Sequence, residues 1–417
     1  MAEIEITGMT LGPYGLGHRD GKTIMVPNVA PGDRLEVAVR SERRDYSLGS
    51  IERIVAGGAA RRATPCPYLP RCGGCDWQQI EYPAQVWLKS ELIARELSRA
   101  LGIKIDPAGL VEPAPAEFGY RARIRLRVGR GGALGFFELG SNELVAIERC
   151  LVGEDSIAMP SILARVLARD LIEIEAVAAN DSRTVLVGHL KKPAGVEQIE
   201  RTRRALASDA RIAGIVLRAG EFRVVLGEVE IDAEIEPGVI LRAGADLFSQ
   251  VNRAQNLRLV AEVMAMAAPA PGTKLLDLFC GSGNFSIPAA RRGARVIGVD
   301  SDSPAIAAAA RNAERMGLGE AQFAAMKAHE LAAFLQRARF RPDVVILDPP
   351  RTGAAALIEP IAKLAPARVV YVSCDVATLA RDLRALASRG YKLSRVRAFD
   401  FFPNTHHAEI AAHAVLT

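Results

Sequence analysis

Lys274-Leu275-Leu276-Asp277-Leu278-Phe279-Cys280-Gly281-Ser282-Gly283-Asn284-Phe285 decides the fold. It reads as a buried strand that breaks into a glycine-bearing turn and then starts a helix. One βα unit later, Arg295-Val296-Ile297-Gly298-Val299-Asp300 is a second strand, ending in a carboxylate. Glycines let a ligand approach the backbone, and an acid at the tip of the next strand can accept hydrogen bonds from ribose hydroxyls. The pair points to a nucleoside cofactor. Neither Gly-x-Gly-x-x-Gly nor Gly-Lys-Ser/Thr occurs, which argues against a dinucleotide or a triphosphate.

From Asp246 onward the chain alternates apolar runs with helical segments, the pattern of a doubly wound α/β sheet. The strand Asp343-Val344-Val345-Ile346-Leu347 runs into Asp348-Pro349-Pro350-Arg351, where the prolines make a rigid exit that aims Asp348. Val369-Val370-Tyr371-Val372-Ser373-Cys374-Asp375 is another buried strand, followed by a helical segment from Val376 to Leu386. Its carboxyl end is where such sheets place chemistry, so Cys374 stands at the mouth of a site. Cys280 is the rival thiol, but its place in the glycine turn suits packing beneath the cofactor. Tyr391 to Phe402 and Glu409 to Leu416 read as a closing antiparallel pair, joined through Pro403-Asn404-Thr405-His406-His407-Ala408.

Working back toward the amino terminus, Phe118 to Leu241 mixes alternating strands with helical stretches at Ile157 to Ile172 and Gly195 to Ala207, an α+β region. Before it, Ile80 to Leu101 has the period of an amphipathic helix. Cys66, Cys72 and Cys75 lie within ten positions among glycines that allow a tight fold around an ion, and Cys150 is the nearby candidate for a fourth ligand. Four thiolates suit zinc or an iron–sulfur cluster, and spacing does not choose between them. Met1 to about Ile54 is short strands and tight turns, suggesting a small barrel of the oligonucleotide-binding kind, with Gly57-Gly58-Ala59-Ala60 as a linker. The expected division is therefore 1–56, 57–245 and 246–417.

At 417 residues, a formal charge of +5 and a pI near 8.9, the balance permits a polyanionic partner without demanding one. The arginines are clustered, at Arg40, Arg43 and Arg44, at Arg61 and Arg62, and in the alternating run Arg121, Arg123, Arg125, Arg127. Such a row predicts a strand with one basic face toward nucleic acid. No apolar run approaches the roughly 20 residues of a membrane span, and the start of the chain lacks a signal-peptide pattern, so a cytoplasmic protein is expected.

Together these residues resemble the RNA 5-methyluridine methyltransferase family, over nearly the whole chain. The resemblance implies a Rossmann-like class I domain that uses S-adenosylmethionine (SAM), preceded by a TRAM-like RNA-binding barrel and an α+β middle domain. It implies that Gln250, Phe279, Asn284, Asp300 and Asp348 bind SAM, and that Cys66, Cys72, Cys75 and Cys150 hold a [4Fe–4S] cluster. Ser373-Cys374 and Thr405-His406-His407-Ala408-Glu409 match its nucleophile and base motifs, although Asp375-Val376 stands where the family usually has Asn-Pro.

The chemistry fits those residues. Carbon 5 of uracil is a poor nucleophile until a thiolate adds to carbon 6. Cys374 is the expected nucleophile and Glu409 the base that later removes the carbon-5 proton, with His407 orienting it. The target base must leave its stack. The barrel with the cluster resembles the branch acting on 23S ribosomal RNA; a tRNA uridine is the alternative, and a non-catalytic RNA-binding assembly factor the rival of another class. A monomer is expected.

Overall fold

The computed structural model describes residues 2–327, 330–331, 333–334 and 340–417. The chain begins with β1 (Ala2–Met9), β2 (Tyr14–Arg19), β3 (Lys22–Pro27), β4 (Arg34–Glu42) and β5 (Tyr46–Ala56). They close into a barrel in the order β1-β2-β3-β5-β4, filled by residues such as Ile6, Val26 and Leu35. Closure removes the sheet edges. The expected linker is packed down: a Cβ on Gly58 would lie 2.0 Å from the Pro31 carbonyl, and its N–H donates to Asp33 at 2.9 Å.

Next come α1 (Tyr82–Leu101) and β6 (Val111–Glu112), then β7 (Arg123–Val128), β8 (Leu134–Phe137), β9 (Leu144–Ala146), α2 (Ser161–Leu167), β10 (Leu171–Ala178), β11 (Thr184–Leu190), α3 (Val196–Ala207), β12 (Ile212–Ala219) and β13 (Phe222–Gly227). Strands β7 to β13 form one sheet in the order β13-β12-β11-β10-β7-β8-β9. The helix expected over Ile157 to Ile172 is only the seven residues of α2. Leu171 and Ile172 already belong to β10, where the run Ile174 to Ala178 is buried and pairs on both sides. Tertiary pairing overrides local helical pattern there. A hairpin, β14 (Glu230–Glu236) with β15 (Val239–Gly244), follows.

The remainder is β16 (Lys274–Leu278), β17 (Arg295–Asp300), β18 (Ala321–Ala325), β19 (Val344–Leu347), β20 (Arg368–Ser373), β21 (Tyr391–Phe399) and β22 (Glu409–Leu416), with α4 (Arg253–Ala267), α5 (Ser286–Arg291), α6 (Ser303–Arg315), α7 (Ala355–Leu364) and α8 (Val376–Ala387). The sheet order is β18-β17-β16-β19-β20-β22-β21-β6, with β16 to β20 parallel and β22 inserted antiparallel. This is the expected doubly wound α/β sheet. Its two faces carry separate cores, one containing Leu276, Val345, Val369 and Leu379, the other Leu275, Ile346, Val370 and Val263. Helix α1 and strand β6 join this sheet too: β6 pairs with β21, and Ile93 and Leu97 of α1 pack in the same core as Leu383 and Leu386 of α8. An amphipathic helix is stable only where its apolar face finds a partner.

Candidate active site and cysteine cavity

The strand order turns back on itself between β16 and β19, the place where open α/β sheets bind ligands. There β16 gives way at once to Phe279, which holds a left-handed φ of 64°. The N–H groups of Phe279 and Cys280 both donate to the Val299 carbonyl, at 2.8 and 3.1 Å, and pin this strained turn to β17. Strain of this kind in a non-glycine residue marks a built site. At Gly283 φ is 103° and an added Cβ would meet the Ile287 side chain at 2.8 Å.

The crevice above the turn is lined by Phe248, Gln250, Asn256, Phe279, Gly281, Asn284 and Asp348, among others. Four of the five expected cofactor residues are therefore brought together. The fifth, Asp300, braces the turn from the tip of β17, its carboxylate accepting from the N–H groups of Gly281 at 3.0 Å and Asp302 at 2.9 Å. Asn284 exchanges two amide hydrogen bonds with Asn256, at 2.9 and 3.1 Å. Sequence reading missed Asn256; its one signal is its position a helical turn after Asn252, which caps α4. Burial pushes the Asp277 carboxyl up to about 7, with the charges of Asp348 and Asp300 adding, against a 2.5 Å hydrogen bond donated by Ser286. Burial and then Asp300 lift Asp348 to about 7 as well. Three carboxyl groups under one crevice suit a cationic ligand, whose charge would favour the ionised forms of Asp277 and Asp348.

A second cavity, lined by Lys89, Arg351, Cys374, His406, His407 and Ala408 among others, lies at the carboxyl end of β20. Ser373 pairs with Ile410 across β20 and β22, so the next residues out, Cys374 and Glu409, are neighbours. Burial pushes the Cys374 thiol up to about 11; Glu409 and Asp348 add to this, and Arg351 opposes it. Glu409 is itself buried, and burial with the Asp348 charge holds its carboxyl well above the usual range, again against Arg351. Arg351 is thus the cation that serves both groups, a role not legible from its place after Asp348-Pro349-Pro350. His407 has Arg351 as its hydrogen-bond partner, at 3.3 Å, where Glu409 was expected. Arginine only donates, so His407 Nε2 accepts, and burial keeps this imidazole neutral down to about 3. Cys280 is buried against Gly298 beneath the crevice, its thiol held well above its usual range by burial.

Cys66, Cys72, Cys75 and Cys150 line one further cavity together with Tyr68, Phe136 and Arg121. All four are free thiols. Burial pushes Cys75 up to about 12, and Cys72 and Cys150 upward too, with charges of neighbouring thiols adding. Among the described residues no three His, Cys, Asp or Glu side chains converge on a point as they stand. The thiols surround a space.

The arginines expected to form a basic face on β7 are paired from within, three guanidiniums against two carboxylates, with Arg125 and Arg127 still about half exposed. Arg123 and Arg125 pair with Glu175 at 2.6 and 2.7 Å, and Arg127 with Glu173 at 2.8 Å, on the adjacent strand β10. Arg61 is likewise held by Asp33 at 2.8 Å and Arg62 by Glu117 at 2.7 Å.

With this geometry in place the comparisons with known proteins are decisive. Residues 119–414 match the family model described as tRNA (Uracil-5-)-methyltransferase. The chain belongs to that family. A 23S rRNA (uracil(1939)-C(5))-methyltransferase of Pectobacterium atrosepticum is 32% identical over 420 residues, covering 98% of this chain and 93% of the relative. Its counterpart in Pseudomonas aeruginosa is 34% identical, covering 95% and 90%. The crystal structure of Pyrococcus abyssi tRNA (uracil-54, C5)-methyltransferase in complex with S-adenosyl-L-homocysteine is 26% identical, with a TM-score of 0.73 over 99% of this chain and 100% of that one. As a uracil-5-methyltransferase, the chain takes its methyl group from SAM, and the crevice at the β16–β19 switch point is of the class I type. No helix among the described residues is long and apolar enough to cross a membrane.

Proposed function

We propose that this methyltransferase modifies carbon 5 of a uridine in 23S ribosomal RNA. The observation that carries the chemistry is that Cys374, which lines a cavity at the end of β20, has the buried Glu409 as its neighbour one step beyond the Ser373–Ile410 rung, beside the crevice that contains Asp348. The Cys374 thiolate, stabilised by Arg351, adds to carbon 6, and the ring electrons shift to give an enolate that is nucleophilic at carbon 5. Carbon 5 attacks the methyl group, releasing S-adenosylhomocysteine. Glu409, as a carboxylate, removes the proton left on carbon 5; those electrons restore the 5,6 double bond, the carbon–sulfur bond breaks and the thiolate departs. Burial raises the basicity of Glu409 for this step. A base in a helix cannot reach both groups, so the uridine is presented flipped out of its stack. A non-catalytic binding role would leave this thiol and acid without a task.

Gln250, Phe279, Asn284 and Asp348 would hold SAM, with Asp300 bracing the turn or turning to the ribose when the cofactor is bound. The four thiols line one cavity, a donor set that suits a metal centre, and the family resemblance favours an iron–sulfur cluster over zinc. Cys66, Cys72, Cys75 and Cys150 would hold a [4Fe–4S] cluster there, tying the cysteine loop to the β7–β9 sheet. The ribosomal substrate rests on the full-length relatives at 32% and 34% identity, against 26% for the tRNA enzyme.

The test is incubation with SAM and cellular RNA carrying 5-fluorouridine. Fluorine cannot leave as the proton does, so the wild-type protein should stall as a covalent adduct, and Cys374→Ala should not. Sequencing the trapped RNA names the substrate. Absence of any adduct sinks the mechanism, and a trapped tRNA replaces the ribosomal reading.

A further inference from the structure

The loop that leads to Glu409 is gripped by the segment that carries the cysteines. Asp76 follows Cys75 directly, and its carboxylate accepts from the His406 backbone N–H at 3.0 Å and from His406 Nδ1. The backbone N–H groups of Asp76 and Trp77 both donate to the Asn404 carbonyl, at 3.2 and 3.0 Å. Beside them Tyr120 donates to the Pro403 carbonyl at 3.1 Å, and the Arg121 guanidinium, which also lines the cysteine cavity, lies 5.4 Å from the Phe402 ring centre. Trp77 is fully buried in the barrel-side core, so Asp76 sits on backbone that is fixed on both sides. Three residues beyond His406 comes Glu409.

We infer that Asp76 is a positioning residue for proton removal: through His406 it sets the aim of Glu409, so the conformation of the cysteine loop governs the second half of the reaction. A catalytic group must be placed to within a fraction of an ångström, and 1 Å of misplacement costs on the order of a hundredfold. The base loop is held in part by a cysteine loop more than 300 residues earlier, and of that loop's contacts the one nearest Glu409 along the chain is the Asp76 carboxylate on His406; from the other side Glu409 is fixed by its pairing in β22. Cys374 reaches its place by a separate route, at the end of the buried strand β20. The main effect of Asp76 therefore falls on elimination, although His406 also lines the Cys374 cavity and its ring centre lies 3.8 Å from that of His407, the partner of Arg351. This inference rests on Glu409 being the base.

The experiment is rapid quenching with SAM and unmodified substrate RNA, following the covalent adduct as it forms and resolves, on protein with its iron content measured. In Asp76→Ala the adduct should form at the wild-type rate and resolve ten- to a hundredfold more slowly, so that it accumulates; Asp76→Asn, which keeps an acceptor for the His406 N–H, should recover part of the rate. His406→Ala, which changes no residue of the cysteine loop and leaves Asp76 its bond from the backbone N–H, should show the same delay even if Asp76→Ala proves unstable or poor in iron. Wild-type resolution in His406→Ala, or a defect confined to RNA affinity or adduct formation, overturns the inference. Glu409→Gln serves as the reference: if it too resolves the adduct at the wild-type rate, the assignment of the base has failed, and the inference falls with it.

Discussion

Cys374 and Glu409 are neighbours across β20 and β22, one step beyond the rung formed by Ser373 and Ile410. Two groups that are 35 positions apart in the chain are thereby held at one end of a buried antiparallel pair. Register decides this, because a slip of one residue would turn one side chain to the opposite face of the sheet.

That geometry makes the thiol difficult to ionise, and Arg351 is the group that offsets the burden. In the free protein, alkylation of Cys374 by iodoacetamide should rise with pH toward an apparent pKa of about 11. Arg351→Ala should move the midpoint upward and lower the alkylation rate at neutral pH several-fold. An unchanged or lowered midpoint would show that the guanidinium does not act on the thiol.

The glycine turn should be equally sensitive. Gly283→Ala forces a side chain onto a φ of 103° and into contact with Ile287 at 2.8 Å. SAM affinity, measured by calorimetry, should fall at least tenfold, while the barrel and the β7–β13 sheet remain folded by circular dichroism. Wild-type affinity would show that the turn adapts without loss.

Lys89 and Asp400 form a fully buried ion pair at 2.6 Å, and Lys89 also donates to the Phe402 carbonyl at 3.2 Å. Lys89→Ala should destabilise the protein by about 3–5 kcal/mol, because it strands a buried carboxylate. Lys89→Ala with Asp400→Asn should recover much of the loss. Denaturant unfolding of both variants checks this, and equal stability of the two would contradict it.

Acid should weaken the fold through two groups. Burial works against the Glu175 carboxylate, but His189, Arg123 and Arg125 hold it down at about 2, compared with 4.5 when unfolded. Its contribution, on the order of 3 kcal/mol, is present above pH 4.5 and lost as the pH falls toward 2. His407, held neutral to about 3 against an unfolded value of 6.5, adds a loss that begins below pH 6.5. Urea midpoints should therefore decline from about pH 6.5 downward, and less steeply below 4.5 in Glu175→Gln.

Much of the site was legible in the order of the residues. The turn at Phe279 to Asn284, the acid ending β17, Asp348 before its prolines, and Cys374 at the end of an apolar run all lie within one strand and its exit, where short-range chemistry dictates conformation. What lay beyond reading was pairing at a distance. The arginines of β7 looked like a nucleic-acid face because their partners Glu173 and Glu175 come some 50 positions later, on a segment whose first residues read as helix. Arg351 reads in the sequence merely as the residue closing the Asp348-Pro349-Pro350 exit, because its role exists only where β19, β20 and β22 converge.

The sequence by itself determined the doubly wound sheet, the barrel and the cofactor turn, since each is written in local periodicity and in residue types with few alternatives, and it singled out the thiol and carboxylate proposed for the reaction. Tertiary structure alone decided which charges are consumed internally, that α1 joins the doubly wound sheet, and that the cysteine loop grips the loop leading to Glu409. Those outcomes depend on burial, which turns a distant carboxylate into an obligatory partner, and burial is a property of the folded chain.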